Sequence, residues 1–345
     1  MLTYLGVYVG LVLTKFGAGR STISTPILVF WAIVLTVFVG SREWVGCDFS
    51  GYLLRFNFYQ KVPFEAVTGN AETGFLALNY LVINMGLGYP WLNFFAAVIF
   101  FGCAVAFVLK RGDPLSILAL MFPVLIVQLA MSGLRQALAV ALLMLAWNAF
   151  VSRRRVWTLA LILAASLFHA SAIVFLPMVL LIGRQVSTVT LGLAAVVAMP
   201  AVFYLIGERA DVYQGRYIES ENESLGAIFR VALTVITSGM FELYRRAYET
   251  EYPEDFQLMR AFSLFGLGVG LLFFISTLAA HRMNYYVMPV QLVMLSRLPR
   301  IMSDNRPNLA LDVAPYVVYG MYIVVWMGLS RHASLCYDPY NSYLF

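Results

Sequence analysis

Apolar runs of near-bilayer length recur along almost the whole chain, and they constrain the fold more than any single motif. They fall at roughly 2–14, 23–40, 91–109, 115–131, 136–151, 156–168, 172–183, 187–206, 226–244, 257–279, 284–297 and 311–329. A hydrocarbon core about 30 Å thick takes a helix of roughly 20 residues. Within it, only helices and closed barrels satisfy their own backbone polar groups. The pattern predicts an all-α, polytopic membrane protein of about 12 transmembrane helices, a single integral membrane domain over residues 1–345. Charged residues make up 12% of the chain and hydrophobic ones 61%, whereas ordinary soluble domains carry about 25% charged residues. The first run has no basic leader and is followed by Lys15 and Arg20, so it reads as a span and not as a cleaved signal peptide.

The turns between runs sort the basic residues into two groups. One side collects Lys15, Arg20, Lys110, Arg111, Arg153, Arg154, Arg155, Arg184, Arg245, Arg246, Arg260, Arg297, Arg300 and Arg306. The other holds Arg42, Arg55, Lys61, Arg135, Arg209, Arg216, Arg230, Arg282 and Arg331. Fourteen against nine makes the first side cytoplasmic by the positive-inside rule and puts both termini outside. Merging 156–183 into one span of 28 residues would reverse every later turn against that rule, so two short spans fit better. A 13-residue helix at 156–168 rises only about 20 Å, which sinks the Phe168–Ala172 turn below the outer surface. Backbone at that depth is tolerated inside protein or against a wet cavity, so an external cavity with His169 near its floor is expected.

Between the second and third runs lies an external region, 41–90. It carries two helical stripes: Tyr52, Leu53, Phe56 and Tyr59, then Phe75, Leu78, Leu81, Val82 and Met85. Such stripes suit helices lying in the interface. A second external loop, 207–225, is polar and acidic.

All three histidines, His169, His281 and His332, fall on the predicted outer side, with Arg42, Asp48, Arg135, Gln136 and Arg282. Arginines at span ends often snorkel to the interface. Nine basic groups on the disfavoured side favour an anionic ligand there. Guanidinium binds two oxygens at once and stays charged in a low dielectric, so converging arginines suit a pyrophosphate and its departure without a metal. The unperturbed pKa of histidine lies near neutrality, which makes His169 a candidate base; the alternative is a hydrogen-bonding residue that closes the turn with Ser171. Asp48 and Glu72 are the carboxylate candidates, and each reads equally as the start of a helix. No ligand pair among histidines and acids has metal-site spacing, and the three cysteines, Cys47, Cys103 and Cys336, lack zinc-site spacing too. Cys47 and Cys336 both fall outside, where a disulfide is chemically allowed. Gly266, Gly268 and Gly270 sit inside a span and suit close helix packing.

Six short blocks in order resemble the EpsG family of bacterial exopolysaccharide proteins, grouped with Wzy-type polysaccharide polymerases. SREWVGCDFSGY at 41–52 is similar to the family's R-x-x-x-G-x-D-Y-x-x-Y block, with Phe49 in place of tyrosine. ETGFLALNYL at 72–81 is similar to E-P-G-F-x-x-L-N, with Thr73 in place of proline. MSGLRQALA at 131–139, FHASAIVFLP at 168–177, HRMNYYVMPV at 281–290 and YDPYNSYLF at 337–345 complete the series. The resemblance implies a GT-C-like fold in the bacterial cytoplasmic (inner) membrane with its site facing the periplasm. It also implies an undecaprenyl-diphosphate-linked oligosaccharide as both donor and acceptor, and an inverting glycosyl transfer without cofactor. On that reading Arg42, Arg135, Gln136, Arg282, His281 and Tyr285 bind the pyrophosphate, and His169, Asp48 or Glu72 serves as base. Membrane lipid, a chain-length regulator and a flippase are the expected partners, and nucleic acid is not. An O-antigen-type ligase uses the same chemistry with another acceptor. A flippase or transporter would show inverted repeats and midplane charges, and no repeat is visible; nothing in the chain suggests the acyl donor a membrane acyltransferase would need.

Overall fold

The computed structural model describes residues 1–17, 25–67, 72–184, 187, 189 and 223–344. Arg20, Arg209, Arg216, the bulk of the expected span at 187–206 and the loop at 207–222 lie outside them. The described residues are helical, and their only extended pairing is a bridge between Arg42 and Ser342.

The helices are α1 (Leu2–Gly17), α2 (Thr25–Gly40), α3 (Phe49–Tyr59), α4 (Thr73–Asn84), α5 (Tyr89–Val108), α6 (Pro114–Met121), α7 (Leu134–Val151), α8 (Arg155–Phe168) and α9 (Met178–Leu181). After the undescribed stretch come α10 (Glu223–Leu243), α11 (Arg245–Glu251), α12 (Phe256–Phe273), α13 (Thr277–Met302), α14 (Leu309–Leu329) and α15 (Arg331–Cys336). Local chemistry explains several starts. Asp113 caps α6, accepting from Ser116 N, and Pro114 takes the first position, where no N–H is required. Ser276 and Ser330 cap α13 and α15 through their hydroxyls.

Among the described residues, α5, α7, α12 and α14 are long and apolar enough to cross a membrane, and α1, α2, α4, 114–130, α8 and 170–181 are shorter apolar segments. Two expectations change in detail. The segment expected to span at 172–183 is a 3-10 turn, Ala170–Phe175, followed by the four-residue α9. Pro177 supplies no backbone N–H there. The two stripes in 41–90 do form helices, but Tyr52, Phe56, Phe75, Leu78 and Val82 are buried against Leu92, Ala96, Leu134 and Leu138. They are core side chains first, and only Leu81 and Met85 of the second stripe stay exposed.

The chain divides into two compact units: residues 1–145, 163–170 and 319–345 form one, and 146–162 and 171–318 the other. In the first, α2 packs closely on α5, because a Cβ on Gly40 would sit 2.9 Å from Phe94 Cα. Three distant segments converge on Arg42, which is 1% exposed. Its Nη1 donates to Val39 O at 2.6 Å, Nε to Met131 O at 2.9 Å and Val45 O at 3.2 Å, and Nη2 to Asn93 Oδ1 at 3.1 Å. The C-terminal segment closes over it, with Glu43 N donating to Asn341 O (3.0 Å), Tyr343 N to Ser41 O (2.8 Å) and Gly46 N to Cys336 O (2.7 Å). Gly46 has φ +99°, and a Cβ there would overlap the Met131 carbonyl. Cys47 and Cys336 are disulfide-bonded, their Cα atoms 4.9 Å apart, while Cys103 is free and buried.

In the second unit, Gly266 and Gly270 on α12 admit Ser238 and Val235 of α10 into contact, whereas Gly268 faces open space. Small residues four apart permit such close helix approach. Arg297 donates to Asp255 Oδ2 at 2.7 Å and lies over the Tyr252 ring, so this buried cation is matched inside the fold.

A lysine presents its donors from one point and cannot serve carbonyls in three directions. Arg42→Lys should therefore destabilise the protein by about 2–4 kcal/mol, since buried acceptors lose a charged donor. A thermal-unfolding midpoint equal to wild type in detergent would overturn this account.

Candidate functional site

In the first unit, Glu72 is the meeting point. Its Oε2 accepts from Arg135 Nη1 in a close ion pair, and its Oε1 lies 2.7 Å from His169 Nδ1. An ionised carboxylate only accepts, so Nδ1 carries the hydrogen of this bond. Glu72 and His169 are buried, and the Arg135 side chain is 23% exposed. Tyr52 completes the group: its hydroxyl accepts from the backbone N and the Nε of Arg135, each at 3.5 Å, and the guanidinium lies 5.8 Å from its ring centroid.

The local sequence explains how these residues meet. Glu72 occupies the N-cap position of α4 at φ 78°, ψ 40° and makes no side-chain cap bond. A left-handed glutamate costs of order 1–3 kcal/mol and persists only where surrounding contacts demand it; here the bonds to His169 and Arg135 supply that demand. Two residues on, a Cβ at Gly74 would lie 3.0 Å from Leu167 Cβ and 3.1 Å from Leu167 O. The glycine thus lets the start of α4 lie against the end of α8, immediately before His169. Arg135 stands in the first turn of α7, just after the Met131 carbonyl that Arg42 holds.

The remaining candidates fall elsewhere. Arg42 is not an open guanidinium awaiting a ligand: its donors go to backbone carbonyls and Asn93, so it holds the site's framework. Asp48 is exposed at the N-cap of α3 without a side-chain cap bond, and its backbone N donates to Ser132 Oγ at 3.2 Å. Gln136 is buried. Ser171 does not close the turn with His169; its hydroxyl lies 2.7 Å from Tyr286 Oη in the second unit. His281, Arg282 and Tyr285 also belong to the second unit, at the head of α13. The sequence reading missed Tyr52 as a partner of Arg135, having placed it in an apolar stripe and at the end of the first family block. Among the described residues, the grouping close enough to ligate a metal is Cys47, His332 and Cys336, and the disulfide occupies both of its sulfurs.

Burial alone would raise the Glu72 carboxyl, but the hydrogen bond from His169 and the charge of Arg135 outweigh it and hold the group below its ordinary value. The arrangement can therefore keep a carboxylate ionised and hold an imidazole in a fixed orientation.

This defines a helical membrane protein with a Glu–His–Arg site whose carboxylate and imidazole are buried. The EpsG family model matches residues 26–342, nearly the whole chain. The chain belongs to the EpsG family, and this membership points to a polysaccharide polymerase-type function. No curated protein and no solved structure matches the chain.

A carboxyl held below its unfolded value adds stability above that value and loses it as pH falls through the folded one. The stability difference between wild type and Glu72→Gln should be full at pH 7 and shrink below about pH 4.5. Thermal midpoints across pH 3–8, an interval bracketing ordinary carboxyl titration, check this; a difference that grows with acidification would contradict it.

Proposed function

We propose that this protein polymerises undecaprenyl-diphosphate-linked oligosaccharide repeat units by inverting glycosyl transfer at the outer face of the bacterial inner membrane. The observation that carries the reading is the Glu72 carboxylate bridging His169 and Arg135, three residues drawn from three separate family blocks. His169 Nε2 takes the proton of the acceptor hydroxyl as that oxygen attacks the anomeric carbon of the donor. The bond from that carbon to the diphosphate oxygen breaks, and the diphosphate leaves with the electron pair. Glu72 holds the ring in the productive tautomer and stabilises the imidazolium that forms, the role a carboxylate plays behind histidine in other acid–base sites. Arg135 fixes Glu72 and offers its remaining donors to the substrate. Asp48, exposed and acceptor-only, is the second candidate for the base.

In the second unit, Arg282, His281 and Tyr285 are of a chemistry suited to a diphosphate, where fixed cations stabilise a leaving group without requiring a metal ion. The outward orientation is supported by the sorting of basic residues and by the Cys47–Cys336 disulfide, which belongs to an oxidising compartment. A ligase differs only in its acceptor, so product identity separates the two readings.

With purified protein and lipid-linked repeats, Glu72→Gln and His169→Asn should lower polymer formation about 10²–10⁴-fold, the range for a lost general base, while Asp48→Asn should cost far less. Polymer made at wild-type rate by His169→Asn would refute the assignment. Chains denatured from membranes without reductant should take up one maleimide, at Cys103, and three after reduction, given three cysteines and one disulfide. Three adducts before reduction would remove the disulfide support for the orientation.

A further inference from the structure

Tyr52 borders the Glu72–Arg135 pair, and the acid–base chemistry leaves its hydroxyl without a task. The residue is 6% exposed, and its ring packs in the core against Phe75 with centroids 5.4 Å apart. The hydroxyl accepts from the backbone N and the Nε of Arg135, each at 3.5 Å. A phenol oxygen can both accept and donate. With Arg135 on the accepting side, the capacity left to Tyr52 is its single O–H, which meets no acceptor among the described residues. A buried tyrosine hydroxyl ordinarily finds a partner.

Arg135 has the same surplus. Its guanidinium carries five donors and no acceptor. Nε goes to Tyr52 and Nη1 to Glu72, while Nη2 meets no acceptor among the described residues. The side chain keeps 23% of its surface exposed. Two neighbouring groups, a phenol and a guanidinium, thus have hydrogens left to give. What the place lacks is an oxygen to receive them.

Charge decides which kind of oxygen. Arg135 already stands in a close ion pair with Glu72. A phosphate drawn to the same guanidinium would approach that carboxylate too, and like charges repel more strongly where water is thinned out. A neutral oxygen meets no such opposition. Sugar hydroxyls and acetamido carbonyls are neutral acceptors, and two adjacent donors suit one such oxygen. The second oxygen of the same carboxylate holds His169 at 2.7 Å, so donor pair and imidazole are mounted on one group. The Tyr52 ring is fixed by packing and Arg135 by its bonds, and groups ordered in advance lose little freedom on binding.

We infer that the Tyr52 O–H and Arg135 Nη2 form a two-donor cradle for a neutral oxygen of the acceptor sugar, the sugar whose hydroxyl His169 activates. That the ligand is an acceptor glycan rests on the polymerase reading above. Tyr52 is then a substrate-binding residue as well as a brace for Arg135. Arg135 serves the sugar, in place of the diphosphate that the family resemblance implied for it.

The test uses full-length protein in lipid nanodiscs, read by calorimetry and thermal stabilisation. One probe is the free oligosaccharide released from the lipid-linked repeat by mild acid, and the other is inorganic pyrophosphate. Wild type should bind the oligosaccharide. Tyr52→Phe keeps the packed ring and loses only the hydroxyl, and should weaken oligosaccharide binding about 3–10-fold, the scale of one hydrogen bond. Arg135→Lys keeps a charge for Glu72 but not the fork of donors, and should weaken it at least as much. Pyrophosphate should bind both variants as it binds wild type. Oligosaccharide binding at wild-type strength in Tyr52→Phe or Arg135→Lys would overturn the inference, as would pyrophosphate binding that falls in both. So would a wild type that does not bind the oligosaccharide. Polymer made by wild type, with oligosaccharide bound equally by Tyr52→Phe, would sink this inference and leave the polymerase reading intact. Tyr52-dependent binding without polymer would do the reverse.

Discussion

The buried guanidinium of Arg42 is the interaction on which the first unit most depends. A charge removed from water must be met by polar groups around it, or it costs several kcal/mol. Here the surrounding groups are carbonyls at positions 39, 45 and 131 and the amide of Asn93. One side chain thus ties the end of α2, the loop before α3 and the turn before α7 to a single point. The C-terminal segment lies along the same loop through backbone hydrogen bonds and a disulfide. Local propensity would not hold these segments together, because each is short and irregular.

That framework has a direct consequence for the chemistry. Arg135 begins four residues after the carbonyl that Arg42 grips, and Tyr52, on the helix that follows the same loop, accepts from both its backbone and its side chain. Glu72 answers Arg135 from a left-handed conformation, and Gly74 lets α4 approach α8 closely enough for the same carboxylate to reach His169. The two arginines thus divide the labour. Arg42 organises backbone, and Arg135 organises a carboxylate that in turn orients an imidazole. The second unit repeats the economy with different parts: Arg297 is matched by Asp255, and Arg230 lies against the His281 ring.

Much of this was legible from residues alone. Apolar run length announced helices in a membrane, and the order of the six blocks announced the family. Glu72, Arg135 and His169 were each marked as candidates by being ionisable beside apolar runs. Their mutual contact was not legible, because they lie 34 to 97 positions apart and nothing local sets that distance. Arg42 was read as a ligand-facing cation because the sequence cannot distinguish a guanidinium aimed at solvent from one aimed at carbonyls. The segment at 172–183 was read as a span because hydropathy counts apolar side chains and is blind to the Pro177 break. Tyr52 was assigned to an apolar stripe, which is true of its ring and misses its hydroxyl.

The sequence by itself determined that the chain is helical, apolar and membrane-embedded, since that follows from side-chain transfer energies and helix length. It also determined which residue types are present for acid–base chemistry and for anion binding, because those are properties of single side chains. Only the tertiary structure decided which arginine is mortar and which is tool, since that depends on what lies within 3 Å of each guanidinium. It likewise decided that Glu72 sits between His169 and Arg135. A carboxylate's role is set by the partners that fix its proton, and those two partners came from two distant segments brought to it by packing.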